Sequence, residues 1–410
     1  MDAAEMTYRP VLGELDPLVA DIDFSDPKVV GMCETLDRLR DAGRKVAIVK
    51  SSTFPPQAYL ILGYDAVERG YSNLEEVPTH LFFQLPHCKD YYGEVVSGQV
   101  GDELRWHRAM MGSALGPIRV REKAESVLVP VANRLIDRWA GRTRVDVVAE
   151  FTHLYPFETI SEMLAIPMDD REKVRDFVQN LFSLNDPEVA RNAHKTMSDY
   201  IQALIRQRRA NPGDDLLSRY ATLQVEGRGY TDEELADAVR FIYPAAGENT
   251  MNALGTLLYY VLTLPDVYAR VRDNPNDRTA AVEESLRIRS SVQYMLRYID
   301  KPVVVDGFEI PADSYLMLAN SSGSRDPAKF DNPTVFSLDR KANNHLAFGR
   351  GANFCIGAHL ARAEMRTMLD VMFARLPGLR VAPGQDLVFE GGTGHGLPSL
   401  FIEFDAILPA

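Results

Sequence analysis

The sequence predicts a mainly α protein with small β-sheets at its margins. Two observations carry that expectation. Apolar residues recur at three- and four-residue spacing over most of the chain, the mark of helices with one buried face. Strand-like runs are short, and they cluster near the two ends and within residues 302–320.

In chain order, Val46 to Lys50 and Ala58 to Leu62 read as short strands separated by a Ser-Ser-Thr-Phe-Pro-Pro turn signal. Helical spacing runs through Val127, Val131, Leu135 and Trp139, then over 155–165 and 171–209. Turns are marked at Asn211 to Asp214 and at Val225 to Gly229. Val303–Val305 and Phe308–Ile310 flank Asp306-Gly307, a two-residue hairpin signal. Ala358 to Leu376 returns to helical spacing, and strand-like segments at Leu379–Ala382, Leu387–Phe389 and Leu400–Phe404 close the chain. There is no internal repeat, low-complexity stretch or evident linker.

The longest predicted element opens at Thr231, whose hydroxyl can accept from the Glu234 amide while the Glu234 side chain reaches back, a capping box. It can run to Leu264, where Pro265 stops it. That is about 33 residues, or roughly 50 Å. Its middle reads Tyr243-Pro-Ala-Ala-Gly-Glu-Asn-Thr250. Pro244 cannot donate to the Arg240 carbonyl, and Gly247 lowers helix propensity. The helix should bend or open there, either as a proline kink in a core helix or as a groove where something approaches the backbone.

Composition narrows the class. By length alone 410 residues suggest two or three domains, and 46% hydrophobic with 25% charged residues describes a soluble globular chain rather than a disordered one. Three cysteines, Cys33, Cys88 and Cys355, are too few for a disulfide scaffold or a four-cysteine zinc site and suit a reducing cytoplasm. A net charge of −13 argues against nucleic acid as the main partner. Met1 to Val30 lacks the basic-flanked apolar core of a signal peptide or anchor, and no apolar run approaches the roughly 20 residues that span a bilayer. A cytoplasmic protein with no membrane partner is expected.

Phe348 to Gly357, Phe-Gly-Arg-Gly-Ala-Asn-Phe-Cys-Ile-Gly, is the most informative decapeptide. Its three glycines exclude a helix or regular strand and indicate a tight loop against a flat or bulky partner. Cys355 sits just before a helix N-terminus, where free amides and the helix dipole favour a thiolate. The plain reading is an inert buried cysteine. A phosphatase- or peptidase-like nucleophile is a second, but no basic cluster accompanies it. The apolar Phe348 and Phe354 suit a third reading, a thiolate ligand to a metal-centred macrocycle.

The loop resembles the haem-binding loop of the cytochrome P-450 family, the haem-thiolate monooxygenases, with the pattern Phe-Gly-x-Gly-x-(His/Arg)-x-Cys-x-Gly. Three further segments match in order: Glu284-Ser-Leu-Arg287 is similar to the family's Glu-x-x-Arg helix, Ala246 to Thr250 to its oxygen-binding groove, and Asn320 to Arg340 to its meander. The resemblance covers nearly the whole chain and is to soluble bacterial members. It implies one domain over 1–410, with a long central helix over a buried haem b.

On that resemblance Cys355 is the axial iron ligand, and Phe348, Gly349, Asn353 and Gly357 form its loop. Phe348 packs near the sulfur, and the Ile356 and Gly357 amides hydrogen-bond to it. Ala246 and Gly247 approach the cofactor from the central helix, and Arg108 and Arg297 clamp the propionates. Glu284 and Arg287 are structural, with Arg340 as third partner. Thr250, Asn249 and Glu248 are the catalytic candidates for proton delivery. Two departures stand out. Asn353 replaces the family's His or Arg, and Leu104 a frequent His, so anchoring on that side is weaker unless Arg105, His107 or His345 compensates. Asn249 stands where the family has an acid, with Glu248 one residue early, rotated about 100°.

The resemblance also implies a small or medium hydrophobic substrate. Its pocket is expected from Leu85–Tyr92, Ile242, Ala245, Ala246, Val292–Met295 and Gly394–Leu397, with His87 and His395 as polar contacts. Electrons are expected from a ferredoxin-type redox partner with its reductase, docking at a basic patch of Arg350, Arg362 and Arg366. A peroxide-driven peroxygenase and a non-catalytic haem sensor or carrier are the alternatives.

Overall fold

The computed structural model describes residues 13–51, 56–181, 187–341 and 343–410. Most of the turn signal between the first two strands, and the first twelve residues of the expected leaderless N-terminus, lie outside them. The fold is mainly helical with small sheets. Strands β1 (Val46–Lys50), β2 (Gln57–Ile61), β4 (Met295–Ile299) and β7 (Ser314–Leu318) form one sheet in the order β1-β2-β7-β4, with β2 and β7 parallel. β3 (Arg144–Asp146), β8 (Arg380–Val381) and β9 (Phe401–Glu403) form another, in the order β3-β9-β8. The Asp306-Gly307 hairpin joins β5 (Val303–Val305) and β6 (Phe308–Ile310), and both turn residues have positive φ, 46° and 84°. Leu387–Phe389 forms no strand.

The central helix spans Asp232–Thr263 and opens with the expected capping box, the Glu234 amide 3.1 Å from Thr231 Oγ1 and the Thr231 amide 2.8 Å from Glu234 Oε2. It neither ends nor breaks at Pro244. The main hydrophobic core surrounds it, with Leu254, Leu257, Leu258 and Val261 fully buried. The helix Ala358–Arg375, which follows the cysteine loop, packs directly on it. Leu104, where the family often has His, is buried in this core. No helix among the described residues is long and apolar enough to cross a membrane.

The helix Pro275–Ile288 carries Glu284 and Arg287 three residues apart on one face. Their side chains are 1% and 0% exposed and form a two-pronged pair at 2.8 Å and 2.8 Å. Arg340 reaches the same carboxylate at 3.0 Å, and Arg287 also donates to the carbonyls of Ser324 and Pro333. The pair therefore fastens this helix to the irregular segment that leads to the cysteine loop.

Candidate functional site

The cysteine loop is closed by its own backbone. The Cys355 amide donates to the Phe348 carbonyl at 3.0 Å, and the Phe354 amide to the Gly351 carbonyl at 3.1 Å. Gly349 and Gly351 have φ of 68° and 67°, and each lies against Tyr71: a Cβ on Gly349 would sit 3.2 Å from the ring, one on Gly351 3.3 Å from the carbonyl oxygen. Asn353 Nδ2 donates to Thr79 Oγ1 at 3.2 Å. Behind the loop, Arg362 lies 4.5 Å over the Phe348 ring and pairs with Glu283 at 2.6 Å and 2.9 Å. His345 Nε2 meets the same carboxylate at 3.3 Å. Burial alone would raise Glu283, but Arg362 and His345 hold it at about 2.

Cys355 is solvent-accessible, yet crowding by protein pushes its thiol pKa up, against the pull of the Gly357 amide, Arg108, Arg362 and the Ala358 amide. The amides on the sulfur are thus those of Gly357 and Ala358, where the sequence reading had Ile356 and Gly357. Burial therefore outweighs the helix terminus, and the thiol pKa is raised rather than lowered. The residue is thus reachable from solvent although protein atoms crowd its thiol.

The central helix shows the same signature. Ala245, Glu248 and Asn249 are exposed in the middle of an otherwise buried helix, and their three- and four-residue spacing puts them on one face. Burial raises the Glu248 carboxyl pKa. Asn249 Nδ2 turns back to the Ala245 carbonyl at 3.5 Å, Thr250 is buried at 5% exposure, and Ala246 packs against the core that also receives Phe348 and Ile356. At Gly247 a Cβ would stand 2.2 Å from the Phe157 ring, so its missing side chain admits a ring from the helix Tyr155–Met163 on that side of the backbone.

Two arginines, Arg297 buried and Arg108 half-buried, have no acidic partner among the described residues. Arg297 is 3% exposed, donates to the Leu296 carbonyl, lies 5.3 Å from the Tyr71 ring centroid and leaves Nε unpartnered. Arg108 donates to the Phe354 carbonyl at 2.8 Å and feels the Cys355 sulfur. Desolvation lowers the pKa of both, and among the described residues neither forms an ion pair. The three expected compensators point elsewhere: Arg105 pairs with Asp102, His107 meets the Tyr230 hydroxyl at 3.3 Å, and His345 meets Glu283.

The remaining expectations divide. Val292 and Gly394 form a bridge, and the Gly394–Gly396 turn packs on Asn252 of the central helix. His395 is not a pocket contact: it is fully buried, stacked on Phe389, with Nδ1 on the Gly391 carbonyl and Nε2 on Arg289, and burial lowers its pKa to about 4. The His87 side chain lies outside the described residues. Arg350, Arg362 and Arg366 each have an acidic neighbour, Glu68, Glu283 and Asp370, which dilutes the expected basic patch. Tyr71, Thr79 and Phe157 shape the site with no motif to announce them.

Residues 278–378 match the family model "Cytochrome P450". Biflaviolin synthase CYP158A1 of Streptomyces coelicolor is 31% identical over 336 residues, 79% of this chain and 81% of that protein. A cytochrome P450 of Bacillus subtilis is 30% identical over 262 residues, 63% of this chain, and the match spans 64% of its length. In structure, the bacillaene polyketide synthase cytochrome P450 PksS of Bacillus subtilis aligns with TM-score 0.85 at 24% identity, over 96% of this chain and 100% of that one. The chain belongs to the cytochrome P450 family, whose cofactor is haem b.

The residues fit that cofactor. No cluster of three metal-ligating side chains exists among the described residues, so a metal at Cys355 needs its other ligands from a non-protein group. Arg108 and Arg297, which form no ion pair among the described residues, are the groups that would take its two propionates.

Proposed function

We propose that this chain is a single-domain haem-thiolate monooxygenase over residues 1–410, inserting one oxygen atom of O2 into a small or medium hydrophobic substrate. The other atom leaves as water, using two electrons and two protons. The observation that carries the reading is an accessible thiol that feels Arg108, an arginine with no ion pair among the described residues. Its loop lies against Tyr71, whose ring also meets the buried and likewise unpaired Arg297. Cys355 holds the iron and Arg108 and Arg297 the propionates, while Phe348, Gly349, Asn353, Gly357 and Ala246 shape the cradle. When bound, haem supplies the oxygen-activating centre, and thiolate donation favours O–O cleavage.

On the central helix the Thr250 hydroxyl orients a water and passes its proton on. Asn249 is tied to the Ala245 carbonyl and has no titratable proton, so the ionisable neighbour is Glu248. Electrons come from a ferredoxin-type partner and its reductase, docking on the face that carries the Cys355 loop.

The test is the reduced carbonyl complex of the haem-loaded protein. A red-shifted Soret band is expected, and Cys355→Ala should abolish it. Oxygen- and reductant-dependent product formation should follow, and its absence with every ligand that shifts the spin state would overturn the reading. Asn249 favours one second reading, a peroxide-driven peroxygenase. Turnover with hydrogen peroxide that matches the reductase-driven rate would support it.

A further inference from the structure

Among the described residues, seven arginines have a buried Nε with no hydrogen-bond partner. Five of them, Arg40, Arg208, Arg240, Arg289 and Arg350, still form an ion pair. Arg297 and Arg219 form none among the described residues. Arg297 is the proposed propionate anchor, and Arg219 has no such role.

Arg219 lies in the helix Leu216–Thr222 and lines a cavity of about 370 Å³. That volume falls within the range of ligand pockets, roughly 300–1,000 Å³. No residue that lines it is among those assigned to the haem. Three of its buried lining residues are apolar, Ala114, Met163 and Leu216. The acids that line it are each paired already. Glu122 takes Arg119 at 2.7 Å, Asp214 takes Lys123 at 3.4 Å, and Asp215 takes Arg208 at 3.3 Å. The hydroxyls are engaged as well. Ser218 donates to Asp215 at 2.6 Å, Thr222 to the Ser218 carbonyl at 2.9 Å and Ser126 to the Glu122 carbonyl at 3.3 Å. Arg219 is left as a single uncompensated positive charge beside an apolar surface.

A guanidinium that donates to no protein oxygen is matched by a carboxylate, which accepts two parallel N–H bonds from its planar fork. We propose that this cavity is a second binding site, for a small organic carboxylate. The carboxylate meets Arg219, and its apolar body rests on Ala114, Met163 and Leu216. An inorganic anion would use the charge and leave that apolar lining in water.

The test is equilibrium dialysis of the haem-loaded full-length protein with naphthalene-2-carboxylate and its neutral amide. The carboxylate should bind at least about tenfold tighter than the amide, from charge-assisted hydrogen bonds. Arg219→Gln should erase that preference. Thr222→Trp, at an exposed position that lines the cavity, should weaken the carboxylate severalfold by filling space while the charge stays. A preference that survives Arg219→Gln puts the carboxylate elsewhere, the haem pocket included, and overturns the proposal. Equal affinities in the native protein overturn it too. So does inorganic phosphate that displaces the carboxylate at equal concentration, because the apolar lining then contributes nothing. If Arg219→Gln does not fold, Thr222→Trp decides: an affinity unchanged by the added ring overturns the site.

Discussion

On the cysteine side, the groups that shape the loop are paired: Cys355 with the Phe348 carbonyl, Asn353 with Thr79, Arg362 with Glu283, and behind them Glu284 with Arg287 and Arg340. On the central helix, the accessible face carries Glu248 with no ion pair among the described residues and Asn249 held only by its own helix. The difference separates two tasks. A loop that is to hold one geometry gains from partners that over-determine it, whereas an accessible face keeps polar groups open to water or to a ligand.

The largest way to break the contrast is to unpair the cysteine side. Arg287→Ala leaves the Glu284 carboxylate buried without its main partner, and a loss of about 3–5 kcal/mol is expected in denaturant unfolding, together with failure to retain haem. Next comes acid. The Glu283 carboxyl falls from 4.5 to about 2 on folding, which stabilises the fold by about 3 kcal/mol. A depressed carboxylate contributes fully above its unfolded pKa and loses its contribution as pH falls through the folded value. The stability gap between the native protein and Glu283→Gln should therefore be constant above pH about 4.5 and close between there and pH about 2. A gap that widened on acidification would contradict the pairing.

Arg297→Ala sharpens the comparison, because it should act with opposite signs on two states. It removes a buried cation that has no acid, so the apoprotein should be no less stable. Haem transfer to an acceptor globin should accelerate roughly tenfold to a hundredfold, from about 1.5–3 kcal/mol of lost charge-assisted hydrogen bonding. A destabilised apoprotein with unchanged haem loss would refute the anchoring role. The smallest effect is expected on the central helix. Gly247→Ala drives a methyl into the Phe157 ring and should cost about 1–3 kcal/mol in thermal unfolding, recovered in part by adding Phe157→Leu. Cofactor loss without a stability change would instead return Gly247 to the site.

The sequence reading succeeded where a few consecutive residues decide the outcome. The Thr231–Glu234 capping box, the Asp306-Gly307 hairpin and the end of the central helix before Pro265 all formed as read. Glu284 and Arg287 were legible as a pair, because three residues along a helix bring side chains to one face. The errors fell where a distant segment intervenes. At Gly247 the sequence showed a place of close approach but not Phe157, the ring that a Cβ there would meet. His395 read as a pocket contact, but Gly391 and Arg289 occupy both ring nitrogens. Leu387–Phe389 had strand propensity, but the bridges form one residue later, from Glu390 to Val30 and Gly396.

What the sequence determined by itself was the family, the mainly helical fold class and the identity of the thiol loop, since motif order and local turn chemistry survive without coordinates. Only the tertiary structure decided which charges are paired. Asn353 meets Thr79 across 274 residues, and the Tyr71 hydroxyl meets Asn320 across 249, contacts that no local pattern encodes. Burial is likewise a property of the folded surroundings: it raises the Cys355 thiol pKa where the sequence led to expect a lowered one, lowers that of Arg297 and raises that of Glu248.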